Sequence, residues 1–171
     1  NEVKTRLIGE YNFPNALAAV TIGRFFGVDT HKINTALQEY TPHNNRSELK
    51  QTADNTLIID AYNANPTSMV ASIGNFHNMK SPNKMLVLGD MRELGKDGPE
   101  EHQKIVDYLE ECKFEDVVLV GELFAATRNH YRIYPDVKSL ITDIEKTKPQ
   151  GKTILIKGSN GIKLNTLVSY L

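Results

Sequence analysis

From Ser47 onward, short apolar runs alternate with stretches of helical period, and few folds accommodate that rhythm. The runs are "KMLVLGD" (84–90), "DVVLVGE" (116–122), "YRIYP" (131–135) and "KTILIKGS" (152–159). Helical patterns cover about 66–79, 98–112, 123–130, 136–147 and 162–170. Strands that are apolar on both faces and alternate with helices imply a parallel sheet covered on both sides. Ahead of them, "SELKQT" and "TLIIDA" flank the turn-like "ADN" and read as a hairpin. The expected fold is α/β: a mostly parallel sheet with an N-terminal β-hairpin and helices on both faces.

Residues 1 to 41 follow a different pattern. A short apolar segment, "VKTRLIG", reads as a lone strand, and two helical patterns follow it. The first runs from about Asn15 to Phe26. Leu17, Val20, Ile22, Phe25 and Phe26 give it a broad apolar face, and Gly27 is its expected stop. The second runs from about Thr30 to Tyr40, with Ile33, Ala36 and Leu37 on one side. "TPHNNR", Thr41 to Arg46, reads as a linker because Pro and Asn break both periods. The start, "NEVKTRLIGEYN", has no Met and no signal-peptide pattern, so a cut through a longer protein is expected.

Composition excludes several classes. Of 171 residues, 40% are apolar and 24% charged, a globular mix. The net charge of −1 provides no basic field for nucleic acid or an anionic membrane. No apolar run approaches the ~20 residues needed to cross a bilayer. Cys112 is the one cysteine, which excludes an intrachain disulfide and a cysteine metal cluster and fits a reducing cytoplasm.

Three of the runs end in Gly plus a polar residue: Gly89-Asp90, Gly121-Glu122 and Gly158-Ser159. Ligands of open α/β sheets bind outside the carboxyl ends of the strands. "IIDAYNANPTSM", Ile58 to Met69, has the same character, with Asp60 ending an apolar run and Tyr62, Asn63 and Asn65 preceding Pro66. Two readings stand at this point: an ordinary turn, for which Asp, Asn and Pro are suited, or a ligand site.

Familiar catalytic motifs do not fit. "GDMRELGKD" has five residues between its glycines and an Asp after the Lys, which excludes a phosphate loop. "KGSNG", Lys157 to Gly161, opens a helical pattern and is either a plain strand-to-helix turn or an anion site on free backbone N–H groups. No GxGxxG follows a strand. The five histidines lack metal-ligand spacing, and His102, shortly after "GDMRELG", is the one to follow. In "GEYNFPNALAA", Asn12 and Asn15 bracket a Pro before an alanine-rich helix; an N-cap accounts for one of them more readily than for both.

Taken together, "GEYNFPNALAA", Arg46, "IIDAYNANPTSM", "VLGDMRELG" followed by His102, and "ILIKGSNG" resemble the Mur ligase family in order and spacing. Within it they look like the MurF type, which adds D-alanyl-D-alanine. The resemblance covers essentially the whole chain. It implies a Rossmann-like C-terminal domain at 42–171, preceded at 1–41 by the helical tail of a central ATPase domain. The N-terminal domain and the rest of the central domain, with its phosphate loop, would lie elsewhere in the same protein.

The resemblance also implies roles. Asn15 matches a residue near the adenine, Arg46 a linker arginine that reaches the nucleotide, and Asp60 a carboxylate that accepts from ribose hydroxyls. Tyr62, Asn63 and Asn65 match the segment facing the reacting centre. Lys157, Ser159 and Asn160 match the strand end near the incoming dipeptide. There are two departures: Asn45 stands where the family has Gly, and Asn160 replaces the arginine of "KGSR". The implied reaction is cytoplasmic peptidoglycan synthesis. ATP with Mg2+ activates a carboxylate of UDP-N-acetylmuramoyl-tripeptide as an acyl phosphate, which the amine of D-alanyl-D-alanine attacks. No metal ligands are assigned within the chain, no tightly bound cofactor is expected, and no ligase activity is expected from it alone. With the resemblance added, the strand-end rule favours a site over a turn at Asp60. The rivals are another Mur-type or folylpolyglutamate-type ligase, and a non-catalytic Rossmann-like binding module.

Overall fold

Alternate residues of each central strand feed two separate cores. In the computed structural model, which describes residues 2–43 and 45–171, six strands form one sheet in the order β1-β2-β6-β3-β4-β5. They are β1 (Glu48–Gln51), β2 (Thr56–Asp60), β3 (Lys84–Gly89), β4 (Val117–Val120), β5 (Arg132–Tyr134) and β6 (Thr153–Lys157). β1 pairs antiparallel with β2 as the expected hairpin, and all other pairs are parallel. Asn44, within the expected linker, and Asn1 lie outside the described residues.

Successive strand side chains point to opposite faces. Ile58, Leu86, Leu88, Leu119 and Leu155 meet α3 (Pro66–Asn78), α4 (Gly98–Glu111) and Phe124 of α5 (Glu122–Ala125) on one face. Leu57, Ile59, Val87, Val118, Ile154 and Ile156 meet α6 (Val137–Ile144) and the C-terminal segment on the other. Each fully buried Leu or Ile contributes about 1.5–3 kcal/mol relative to exposure. This two-sided burial leaves unbroken apolar runs in the sequence.

The two N-terminal helices, α1 (Phe13–Phe25) and α2 (Thr30–Glu39), form where expected. Gly27 ends α1 at φ +74°, and the Val28 N–H bonds back to the Gly23 carbonyl, a left-handed stop suited to glycine. Asp29 caps α2 by accepting from the N–H groups of His31 and Lys32. α1 buries no residue; Phe25 is 83% and Phe26 75% exposed.

Three expectations are corrected. No strand forms among residues 2–9. The helix expected at 123–130 stops at Ala125. There Asn129 bonds to Thr127 Oγ1 at 2.8 Å and accepts from the Tyr131 N–H at 2.9 Å, so side chains draw the backbone into a turn. The last expected helix, 162–170, is instead 3-10 in two pieces, Asn160–Ile162 and Leu164–Ser169, separated by left-handed Lys163. Its buried residues, Leu164 and Leu167, are three apart, which matches the 3-10 period better than 3.6.

Candidate functional site

β2 delivers Asp60 to its carboxyl end, and the chain then turns through Tyr62 and Asn63 into α3. Across from this turn stand α1, α2 and the segment leading to β1. Between them lies a cleft of about 840 Å³, whose lining includes Asn15, Arg46, Asp60, Tyr62, Asn63, Asn65 and Lys157. Seven of the nine residues expected at the site thus share one cavity. Ser159 and Asn160 do not line it.

The parallel register sets Asp60 opposite Lys157 on β6. Lys157 is 1% exposed and its Nζ lies 2.6 Å from Asp60 Oδ2. The hydroxyl of buried Ser72 donates to the same oxygen at 3.1 Å. Lys157 Nζ also lies 3.4 Å from the Asn63 carbonyl. Among the described residues, Oδ1 of Asp60 accepts no hydrogen bond.

Asn65 has a local duty. Its side chain accepts from the Ser68 N–H at 2.8 Å, and Ser68 Oγ accepts from the Asn65 N–H at 3.1 Å, a reciprocal cap at the start of α3. Asn63 Oδ1 accepts from the Ala64 N–H at 2.9 Å. Neither Asn12 nor Asn15 caps α1 with its side chain. Asn12 instead donates to the Ile8 carbonyl at 2.8 Å and lies 3.4 Å from Ser47 Oγ, while Asn15 donates to Asn12 Oδ1 at 3.1 Å.

Arg46 lies with its guanidinium carbon 3.8 Å from the centre of the Tyr62 ring, a cation–π contact at the rim of the cleft. The backbone is left-handed on both sides of it, at Asn45 (φ +60°) and Ser47 (φ +48°). Asn is among the few side chains that tolerate this region, which suits Asn45 to the turn.

"VLGDMRELG" and "KGSN" build a different structure. Both carboxylate oxygens of Asp90 accept backbone N–H groups, from Leu123 and Phe124, each at 3.0 Å. Ser159 Oγ accepts from the Arg92 N–H at 2.8 Å, and the Ser159 N–H donates to the Asp90 carbonyl at 3.2 Å. His102 is fully buried. The Met91 N–H can only donate, so His102 Nε2, at 3.0 Å, is the acceptor. The Gly98 carbonyl can only accept, so Nδ1, at 2.6 Å, carries the proton. These bonds tie the carboxyl ends of β3, β4 and β6 together. Asp90, His102 and Ser159 are occupied in that knot, while Asn160 is exposed at its edge.

A family model described as the Mur ligase, glutamate ligase domain, matches residues 45–160. The chain belongs to the Mur ligase family. It is 34% identical to the UDP-N-acetylmuramoyl-tripeptide–D-alanyl-D-alanine ligase of Bacillus subtilis, over 96% of this chain and 38% of the relative. MurF from Acinetobacter baumannii is similar in structure, with a TM-score of 0.80, 29% identity, and 98% of this chain matched to 39% of that one. MurF ligase from Thermotoga maritima, solved in complex with ADP, shares the fold at a TM-score of 0.80 and 18% identity, with 96% of this chain matched to 38% of that one. The chain therefore spans well under half the length of the relatives it matches.

Within this Mur ligase chain, the cleft presents one carboxylate, several amides and the basic side chains of Lys32, Arg46 and Lys157. It holds no histidine or cysteine among its lining residues. Its carboxylate, amides and basic groups are of the kinds that bind and orient a polar ligand. Among the described residues no cluster of three or more His, Cys, Asp or Glu is placed to hold a metal ion. Burial raises the phenols of Tyr108, Tyr131 and Tyr134, and none of the three lines the cleft. A partner of Asp60 that the sequence did not single out is Ser72. Its signal was a polar residue on the buried stripe of α3, beside Met69, Ile73 and Phe76. Among the described residues no helix is long and apolar enough to cross a membrane.

Proposed function

We propose that this chain is the C-terminal part of a cytoplasmic, ATP-dependent ligase that joins D-alanyl-D-alanine to UDP-N-acetylmuramoyl-tripeptide in peptidoglycan synthesis. The observation that carries this reading is the convergence of Asn15, Arg46, Asp60, Tyr62, Asn63 and Asn65 on one cleft. These residues come from a helix, a linker and a strand end, so the fold is what assembles them. Residues 1–41 are the tail of the central domain and 42–171 the C-terminal domain. The exposed aromatic residues of the α1 region support the first assignment, because such a face ordinarily has a partner.

In the proposed reaction a substrate carboxylate oxygen attacks the γ-phosphorus of ATP, and ADP leaves. The amine of D-alanyl-D-alanine then attacks the acyl-phosphate carbon. The tetrahedral intermediate expels phosphate, and the amine loses a proton. Asp60 holds the ribose, Arg46 approaches the phosphates from the linker, and Asn15 stands beside the adenine. Tyr62, Asn63 and Asn65 face the reacting centre, with Ser159 and Asn160 toward the dipeptide. Catalysis is mainly positioning and charge neutralisation. Mg2+ would neutralise phosphate charge, held by ligands outside this chain.

The test is phosphate release by the full-length protein. It should require ATP, the tripeptide nucleotide and D-alanyl-D-alanine together. Release with L-glutamate in place of the dipeptide, and none with the dipeptide, would overturn the assignment. The 171-residue chain alone should release no phosphate and bind ATP more weakly than about micromolar, roughly −8 kcal/mol.

A further inference from the structure

We infer that Lys157 is a positioning residue for the nucleotide and not part of the dipeptide site: it fixes which oxygen of Asp60 is offered to a ribose hydroxyl. The inference rests on the ATP reading of the cleft given above. Lys157 Nζ and Ser72 Oγ both bond to Oδ2, at 2.6 and 3.1 Å. Oδ1 accepts nothing among the described residues, and Asp60 is half-buried on the cleft wall.

A carboxylate on a free rotor offers two equivalent oxygens, and a ligand hydroxyl must stop that rotor before it can bond well. Here two donors have already stopped it. Binding to Oδ1 then avoids the ordering cost, which is how a preorganised group gains affinity. The hydroxyl meets an ionised acceptor, so the bond is charge-assisted.

Lys157 itself cannot easily serve a second ligand. It is 1% exposed, and both of its contacts, Asp60 Oδ2 and the Asn63 carbonyl, are internal. A buried ammonium withdrawn from its carboxylate would lose its counter-charge, which is strongly unfavourable. The strand-end motif is therefore divided: register sets Lys157 against Asp60 of β2, and Ser159, two residues on and past the end of β6, serves the loop after β3.

The experiment uses the full-length protein with ATP, 2′-deoxy-ATP and 3′-deoxy-ATP as alternative substrates. The wild type should show a KM for one deoxy analogue raised about tenfold or more, the effect of losing one hydrogen bond to a charged group. In Lys157→Met, KM for ATP should rise toward the deoxy value while the deoxy value barely moves, so the ratio falls to about twofold or less. A variant that loses thermal stability but keeps the wild-type ratio would reduce Lys157 to a structural ion pair and overturn the inference. Should Lys157→Met fail to fold, Ser72→Ala removes the other donor from Oδ2, and it too must narrow the ratio; an unchanged ratio overturns the inference. A wild type that accepts ATP and both deoxy analogues equally would instead sink the ribose reading of Asp60, and the inference with it.

Discussion

Asp60 and Lys157 face each other across the β2–β6 ladder, and their side chains meet at 2.6 Å although 97 residues separate them in sequence. This contact makes the end of β2 a fixed anionic point in a cleft. It also sets the scale of the first expectation. Asp60→Ala in the full-length protein should raise the KM for ATP roughly 10- to 150-fold, the range for a hydrogen bond to a charged group worth about 1.5–3 kcal/mol. The KM for D-alanyl-D-alanine should stay near the wild-type value. Steady-state kinetics with each substrate varied separately decides this. An unchanged ATP constant in a destabilised protein would make the stretch a structural turn.

Asn65 allows stability and turnover to be separated. Its Oδ1 caps α3, and only that oxygen is used in the cap. Asn65→Ala should cost about 1 kcal/mol of stability, within a usual range of roughly 0.5–2. Asn65→Asp keeps an accepting oxygen and should retain that stability, yet it loses the amide donor. If the donor serves the reacting centre, kcat falls in both variants. Denaturant melts combined with kcat measurements give the answer, and full turnover in Asn65→Asp would confine this residue to capping.

Gly121 should tolerate no side chain. Its φ of +127° is strained for an L-residue, and an added Cβ would collide with the Asp90 carboxylate that caps α5. Gly121→Ala should lose about 3 kcal/mol or more of stability, from backbone strain and overpacking together. A midpoint in urea near that of the wild type would contradict the collision.

Tyr131 points to a substitution that strengthens the fold. Its buried hydroxyl has no hydrogen-bond partner among the described residues. Tyr131→Phe removes an unsatisfied polar atom, so stability should hold or rise by about 1 kcal/mol. The phenol's pKa is raised above the ordinary 10, first by burial and then by the charges of Glu110 and Cys112. A raised folded-state pKa means that this contribution is complete below pH ~10 and is lost as pH rises through the folded value. Thermal melts from pH 8 to 11 should therefore fall less steeply in Tyr131→Phe than in the wild type.

Hydrogen exchange should divide the chain unevenly. α1 buries no residue, whereas β3, β4 and β6 are buried along nearly their whole length. Amides of α1 should exchange through small local openings, and those of the three strands only near global unfolding. Equal protection throughout would argue against a boundary near residue 42.

The parallel strands β2, β3, β4 and β6 were legible in the sequence because burial on both faces leaves no polar interruption. Asp60 was legible for a related reason: a carboxylate that ends such a run stands out. The partners of these residues were not. Whether Lys157 meets Asp60 depends on β6 inserting beside β2, and strand order is not written in any local pattern. Asp90 and Ser159 both occupy strand ends, and each accepts backbone N–H groups there. Their sequence signal is the same as a site's, since a carboxylate or hydroxyl at a strand end can serve a loop as well as a ligand. The C-terminal helix was misread because Leu164 and Leu167 are spaced acceptably for an α-helix and better for a 3-10 one.

The two left-handed residues around Arg46 carry a consequence for how the linker moves. A glycine at position 45 would sit in that conformation without strain, but it would also roam widely when the linker is loose. Asn45 accepts some strain in the ordered state and in exchange has fewer states to abandon. An Asn45→Gly linker should be slower to bring the Arg46 guanidinium back over Tyr62, because its search space is larger even though its destination is easier. The side chain at position 45 thus narrows the set of backbone conformations from which the Arg46 guanidinium must be drawn to reach the Tyr62 ring.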